Sequence, residues 1–271
     1  MSKLLFHLPA LCNIVKRVAV EAGEITLDYF EEGMHIQHDD KKDGSPVTDA
    51  DRRAEEFIAK ELRSAIEGVP VVGEESVSNG EVNDVKGHEY FWLVDPLDGT
   101  KEFIEGSPDF TVNIALIKNN VPMLGVIYAP AKGEMFSAYG EGTASRWTQE
   151  GDKEKEISVR KPTRHGLVVI TSRNRAQDQI AKYLEEQKVE KIIRRGSSLK
   201  ICAVASGKAD LYPGFGQTSE WDTAAGQAIL TAAGGEIVTL EGKPLTYGDK
   251  DGHFKNPAFL ARSKYLSEEE Q

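Results

Sequence analysis

The chain has 271 residues, 39% hydrophobic and 28% charged, an ordinary globular mixture with apolar material for one large domain or two small ones. A formal charge of −11 leaves no basic excess to displace counterions, which argues against a nucleic-acid polymer as the main partner. With only Cys12 and Cys202, no signal-peptide pattern and no run near the roughly 18 apolar residues of a membrane span, the expectations are a reduced cytoplasmic setting and no stable membrane insertion.

Along the chain, Leu11, Ile14, Val15, Val18, Ala22, Ile25 and Phe30 recur at helical spacing and predict a long amphipathic helix from Leu8 to Phe30, with Pro9 tolerable in its first turn. A polar loop containing His38 to Ser45 follows. Thr48 or Asp49 then caps a second helix running through Phe57, Ile58 and Leu62 to about Glu67. Val69 to Gly73, Tyr90 to Val94, Thr111 to Ile117 and Val121 to Tyr128 read as strands, and Asn119-Asn120 between the last two predicts a hairpin with antiparallel pairing. The charged stretch Glu150 to Glu156 is the expected boundary or surface loop. It divides an N-terminal α+β half, 1–155, from a C-terminal α/β half, 156–271, that completes the active site. In the second half, strands at Leu167 to Thr171, Lys191 to Arg195 and Ala209 to Tyr212 alternate with helices at Gln177 to Glu186, Ser198 to Ser206 and Thr223 to Ala233. The terminal Ser-Glu-Glu-Glu-Gln is expected to fray.

Residues 91–100 read Phe-Trp-Leu-Val-Asp-Pro-Leu-Asp-Gly-Thr, an apolar strand ending in two carboxylates, a proline and a glycine. Burial explains the strand but not the aspartates. Pro96 withholds a donor and fixes its own φ, favouring a sharp turn in which Asp95 and Asp98 face a common point with the Leu97 carbonyl between them. Magnesium prefers such hard oxygens and keeps waters, one of which can become a nucleophile. An isolated Asp-x-x-Asp is more often a solvated turn. Glu74-Glu75 ends the preceding strand in the same way, as further ligands or as an exposed pair. Asp222, near the start of the helix opened by Trp221, is either a favourable charge at a helix N-terminus or a ligand. Thr48 to Asp51 looks like helix capping, although a cap does not require Asp51, which already lies inside the helix.

Taken together, Val47-Thr48-Asp49-Ala50-Asp51, Gly73-Glu74-Glu75, DPLDGT at 95–100 and WDTAAG at 221–226 resemble the inositol monophosphatase superfamily over nearly the whole chain. The resemblance implies an α+β fold, the layered αβαβα sandwich of the inositol monophosphatase and fructose bisphosphatase type. It implies that Glu74, Asp95, the Leu97 carbonyl, Asp98 and Asp222 hold two or three Mg²⁺ ions. It also implies that Asp51 and Thr100 take a proton from the attacking water, Glu74 completing the catalytic set; the Gly99 and Thr100 amides, at a helix start, can meet the phosphoryl oxygens. Sensitivity to lithium follows from the same likeness.

Lys101-Glu102-Phe103-Ile104, Asp109-Phe110-Thr111-Val112-Asn113, Gly196-Ser197-Ser198-Leu199-Lys200 and Leu211-Tyr212-Pro213 resemble the CysQ-type 3′(2′),5′-bisphosphate nucleotidase branch. That branch removes the 3′-phosphate of adenosine 3′,5′-bisphosphate, a by-product of sulfate assimilation. Inositol monophosphatases carry a glutamate shortly before the Trp-Asp pair that helps hold inositol; here Glu220 sits next to Trp221 instead. A nucleotide bisphosphate needs countercharge, and Lys101, Arg173, Arg175, Arg194, Arg195 and Lys200 are the local cations, Lys200 foremost. Ser197 and Ser198 are read equally as donors to substrate and as helix caps. Glu74, Leu97, Asp98, Gly99, Thr100 and Asp222 complete the expected substrate set. Rival readings are a phosphatase of inositol or fructose phosphates and a catalytically silent metal-binding scaffold.

Overall fold

The computed structural model describes residues 3–31, 38–40, 46–81, 85–173, 175–248 and 253–269. Helix α1, Leu8–Glu31, and helix α2, Asp49–Ala65, form the outermost layer, separated by the short antiparallel pair β1, His38–Asp40, and β2, Pro46–Thr48. Part of the expected polar loop is thus strand, and residues 41–45 lie outside the described residues. Against these helices lies a seven-stranded sheet. It contains β3, Val71–Gly73, and, after the five-residue helix α3, Glu74–Ser78, the long strand β4, Tyr90–Asp98. Helix α4, Thr100–Ile104, leads to β5, Thr111–Lys118, then β6, Val121–Ala129, β7, Glu134–Ala138, β8, Ser145–Thr148, and β9, Lys153–Glu156. The strands follow in sequence order, β3 parallel to β4 and the remaining pairs antiparallel. Asn119 and Asn120, at φ 48° and 65°, make the expected hairpin with both turn residues left-handed.

The charged stretch at 150–156 is not a loop throughout: Lys153–Glu156 is the exposed edge strand β9, and its alternating charges suit an edge that must resist further pairing. Edge position, not apolar content, makes it a strand.

The second sheet has the order β11, β10, β12, β14, β13, built from β10, Leu167–Ser172, β11, Val189–Arg195, β12, Leu211–Gly214, β13, Gly235–Thr239, and β14, Phe259–Ser263. Helices α6, Leu199–Ala205, and α7, Glu220–Ala232, lie between the two sheets, while α5, Gln177–Leu184, and α8, Lys264–Glu269, belong to the far side. Helix α8 runs into the segment expected to fray; residues 270–271 lie outside the described residues.

Strand alternation shows why five layers result. Phe91 and Leu93 of β4 enter the core shared with α6 and α7, while Tyr90, Trp92 and Val94 enter the one shared with α1 and α2. In β10, Val168 and Ile170 face that same central core, and Leu167 and Val169 face Ile180 and Leu184 of α5. Strands covered on both faces read as unbroken apolar runs, as these do. The layers are therefore α, β, α, β, α, as the family resemblance implies. Both cysteines are buried free thiols.

Candidate active site

The site begins with a defect in β4. Asp95 pairs with Asn113 and Asp98 with Thr111, so three steps on β4 oppose two on β5, a bulge of one residue. In a regular strand, side chains three apart point to opposite faces; the extra residue brings Asp95 and Asp98 round to line one cavity. Pro96 sits inside the bulge, where its missing donor breaks no ladder. The Leu97 N–H donates to Asp95 Oδ1 at 3.0 Å, and the Thr100 hydroxyl donates to the Leu97 carbonyl at 3.2 Å, so both ends of the turn are tied.

Parallel pairing places Gly73 of β3 opposite Val94, which sets Glu74, the first residue of α3, beside Asp95. The third carboxylate comes from α7, where the Ser219 N–H donates to one oxygen of Asp222 at 2.9 Å. Asp222 thus completes the capping box of Ser219, and it is also within reach of the others: Glu74, Asp95 and Asp222 each offer an oxygen within 4.8 Å of the other two. Asp98 is held from the far side, accepting from the Ser198 N–H at 2.5 Å and Asn113 Nδ2 at 3.5 Å.

The electrostatics of this arrangement are strained. Burial, then the charges of Glu74, Asp98, Asp222 and Asp51, pushes the Asp95 carboxyl far above the usual range. Burial, followed by Asp98 and Glu74, lifts Asp222 to about 7. Burial also raises Asp98, against the opposing pull of Lys200 and Arg175. A compact set of hard oxygen donors with mutual repulsion suits a divalent cation, so the residues fit the metal that the fold family implies.

Glu74, Asp95, Leu97, Asp98, Gly99, Thr100, Ser197, Ser198, Lys200 and Asp222 all line one cavity of about 570 Å³. Asp51, buried in the first turn of α2, does not line it and acts on Asp95 through its charge. The Ser198 hydroxyl neither caps nor faces outward: it donates to Asn113 Oδ1 at 2.8 Å and lies 2.8 Å from the Thr111 hydroxyl. Ser197, at φ 51°, accepts from the Leu199 N–H at 3.4 Å, a weak cap. Lys200 is buried; its ammonium donates to the Ser197 carbonyl and stands 5.3 Å from the Tyr212 ring centroid. Burial lowers its pKa, with the Asp98 charge opposing.

Arg175 and Lys101 line the cavity; Arg173, Arg194 and Arg195 do not. Arg173 and Arg195 instead bind Asp109, at 2.7 and 3.1 Å, together with Lys132 at 2.9 Å. Sequence reasoning missed Lys255, which lines the cavity and donates to the Ser219 hydroxyl at 3.1 Å, because a lone lysine beside Asn-Pro carries no signal. It also missed Glu55, whose signal was its place four residues after Asp51 on one helix face.

Proteins of known name share this sequence and fold. A Salmonella typhimurium protein named 3′(2′),5′-bisphosphate nucleotidase CysQ is 44% identical over 245 residues, covering 90% of this chain and 96% of that protein. A protein of the same name from Haemophilus influenzae is 31% identical, with 92% and 91% covered. The crystal structure of CysQ from Bacteroides thetaiotaomicron, a bacterial member of the inositol monophosphatase family, superposes with a TM-score of 0.78 at 36% identity, covering 94% and 97% of the two chains. Inositol monophosphatase from Anabaena gives 0.73 at 26%, covering 97% and 94%. With residues 9–269 matching that family as a whole, the chain belongs to the inositol monophosphatase family.

Proposed function

We propose that the chain is a magnesium-dependent phosphatase that converts adenosine 3′,5′-bisphosphate and water to AMP and inorganic phosphate, in the cytoplasm, clearing the by-product of sulfate assimilation. The observation that carries this reading is one cavity holding both the Glu74, Asp95 and Asp222 cluster and four cations, Lys101, Arg175, Lys200 and Lys255. Carboxylates alone would repel a phosphate ester, and cations alone would bind one without activating water. The likeness to CysQ nucleotidases supports the choice of substrate.

In this reading Glu74, Asp95, the Leu97 carbonyl, Asp98 and Asp222 hold the metal. Bound magnesium supplies Lewis acidity, making water nucleophilic at neutral pH and screening phosphoryl charge. The Thr100 hydroxyl, which donates to the Leu97 carbonyl, would accept a proton from the attacking water while giving up its own to Asp51, the final base. As the water oxygen bonds to phosphorus, the bond to the ribose 3′-oxygen breaks, and that oxygen takes up a proton from solvent water.

The rival inositol reading meets a specific obstacle. Glu220 is buried and accepts the Gly248 N–H at 2.6 Å, so the glutamate beside Trp221 serves the 247–248 turn and not a sugar. Among the described residues no helix is long and apolar enough to cross a membrane. The deciding assay is phosphate release, with and without Mg²⁺, from adenosine 3′,5′-bisphosphate, inositol 1-phosphate and fructose 1,6-bisphosphate. Faster magnesium-dependent release from either sugar phosphate sinks the nucleotidase assignment, and no release from any of the three returns the scaffold reading.

A further inference from the structure

Helix α3 has only five residues and begins with Glu74, so its first amides have no partner inside the helix. Two of them are satisfied from elsewhere in the chain. The Glu75 N–H donates to Glu55 Oε2 at 2.7 Å and the Ser76 N–H donates to Glu55 Oε1 at 2.8 Å. Glu55 is buried, at 6% exposure, and both of its oxygens are committed to this one turn. Space for it exists because residue 73 is glycine: a Cβ there would lie 2.2–2.4 Å from the Glu55 carboxyl atoms. Ser76 closes the turn from the other side, its hydroxyl donating to the Gly73 carbonyl at 3.1 Å and accepting the Gly73 N–H at 3.2 Å.

The same helix face carries Asp51 four residues earlier, whose charge reaches Asp95. Helix α2 therefore addresses the acidic cluster twice, through the charge of Asp51 and through the backbone that carries Glu74. A buried carboxylate could cap α3 for stability alone. That alternative leaves unexplained why a carboxyl group, expensive to bury, serves a five-residue helix whose first residue is a cluster carboxylate.

We infer that Glu55 is a positioning residue for the metal site: by holding the Glu75 and Ser76 amides it fixes the turn from which Glu74 reaches Asp95 and Asp222, and so sets metal affinity without touching metal or substrate. The inference rests on the metal-dependent reading above. Glu55→Gln keeps the volume but turns an NH₂ group toward a backbone donor. Gly73→Ala leaves Glu55 in place and pushes its carboxylate out of the turn.

The test is calorimetric titration of metal-free protein with MgCl₂, alongside turnover at varied Mg²⁺, for wild type, Glu55→Gln and Gly73→Ala, with circular dichroism to establish folding. Both variants should weaken Mg²⁺ binding about tenfold or more, the loss expected for one charge-assisted hydrogen bond. For Glu55→Gln, kcat at saturating Mg²⁺ should stay within about threefold of wild type, since no reacting group is removed. A merely structural cap would lower the melting temperature and the folded fraction while leaving Mg²⁺ affinity unchanged. Wild-type affinity in either folded variant overturns the inference; if Glu55→Gln does not fold, Gly73→Ala decides it. Failure of the wild type itself to bind Mg²⁺ would instead overturn the metal-dependent reading.

Discussion

Asp95 meets two demands that conflict without a cation. Its burial and four acidic neighbours disfavour the charged form, yet that charge is what a metal site requires. Asp95→Asn keeps the shape and an oxygen for the Leu97 N–H, while removing one source of repulsion. The expected outcome is a trade: magnesium-dependent turnover is abolished, and the metal-free variant melts higher than metal-free wild type. A gain of about 1 kcal/mol corresponds to roughly 2–4 °C in a protein of this size class. Unchanged turnover at saturating metal would remove Asp95 from the site. Lys200 invites a different test. From its sequence it is the cation that balances the unhydrolysed phosphate, but its ammonium is spent on the Ser197 carbonyl and the Tyr212 face, and Asp98 is its strongest opposing charge. Lys200→Met should therefore lower kcat/KM for adenosine 3′-monophosphate and adenosine 3′,5′-bisphosphate alike, by roughly 10- to 150-fold for a charge-assisted bond. A loss confined to the bisphosphate restores the role read from sequence.

Elements are joined at this site by charge as well as by packing. Asp109, 1% exposed, precedes β5 and binds Lys132 after β6, Arg173 after β10 and Arg195 at the end of β11, so one carboxylate links the ends of both sheets. Burial alone would raise its pKa, and the three cations outweigh burial and hold it below the usual range. Asp109→Ala leaves three clustered cations without their anion and should cost about 3–5 kcal/mol in urea unfolding. Arg173→Ala or Arg195→Ala should each cost about 1 kcal/mol or less, because each side chain is nearly half exposed and Asp109 keeps its other partners. Equal costs at all three positions would show that Asp109 is not the shared anchor. Such a cluster is invisible in sequence, since its members are spread from 109 to 195. Local patterns were legible: α1 and α2 from their period, β5 and β6 from the Asn119-Asn120 turn, and the Asp95-Pro96-Leu97-Asp98 turn from carboxylates that burial could not explain. Strands β7, β8, β13 and β14 were not, because each has only four or five residues and pairing with neighbours, not composition, defines them. The side-chain surroundings of Ser198 and Lys200 were likewise hidden, since burial on α6 depends on both sheets.

All five layers bear on the acidic cavity: Asp51 of α2 through its charge on Asp95, Asp95 and Asp98 from the first sheet, Asp222 and Lys200 from the helices between, Tyr212 from the second sheet and Ile180 from α5. Folding therefore brings together charges that the unfolded chain keeps apart, and the stability of the whole molecule becomes linked to pH and to metal. Asp222 and Glu55, with ordinary values of 3.8 and 4.5, are both raised to about 7, by burial first in each case. Between about pH 4 and 7 the folded state holds protons that the unfolded state has released. The stabilisation is complete below the unfolded values and is lost as pH rises through 7. Asp109 and Glu154, held below their ordinary values of 3.8 and 4.5, act in the opposite sense but at lower pH, below both pH values compared next. Metal-free protein should accordingly melt at a higher temperature at pH 5.5 than at pH 8. On the magnesium-dependent reading, the cation replaces the proton on Asp222, while Glu55 keeps its backbone partners, so the rise in melting temperature on adding saturating MgCl₂ should be larger at pH 8 than at pH 5.5. Differential scanning calorimetry of the metal-free and magnesium-loaded protein at both pH values measures all four quantities. A magnesium effect equal at the two pH values would mean that metal and protons do not compete for the same carboxylates, and the cluster of Glu74, Asp95 and Asp222 would lose its standing as the metal site.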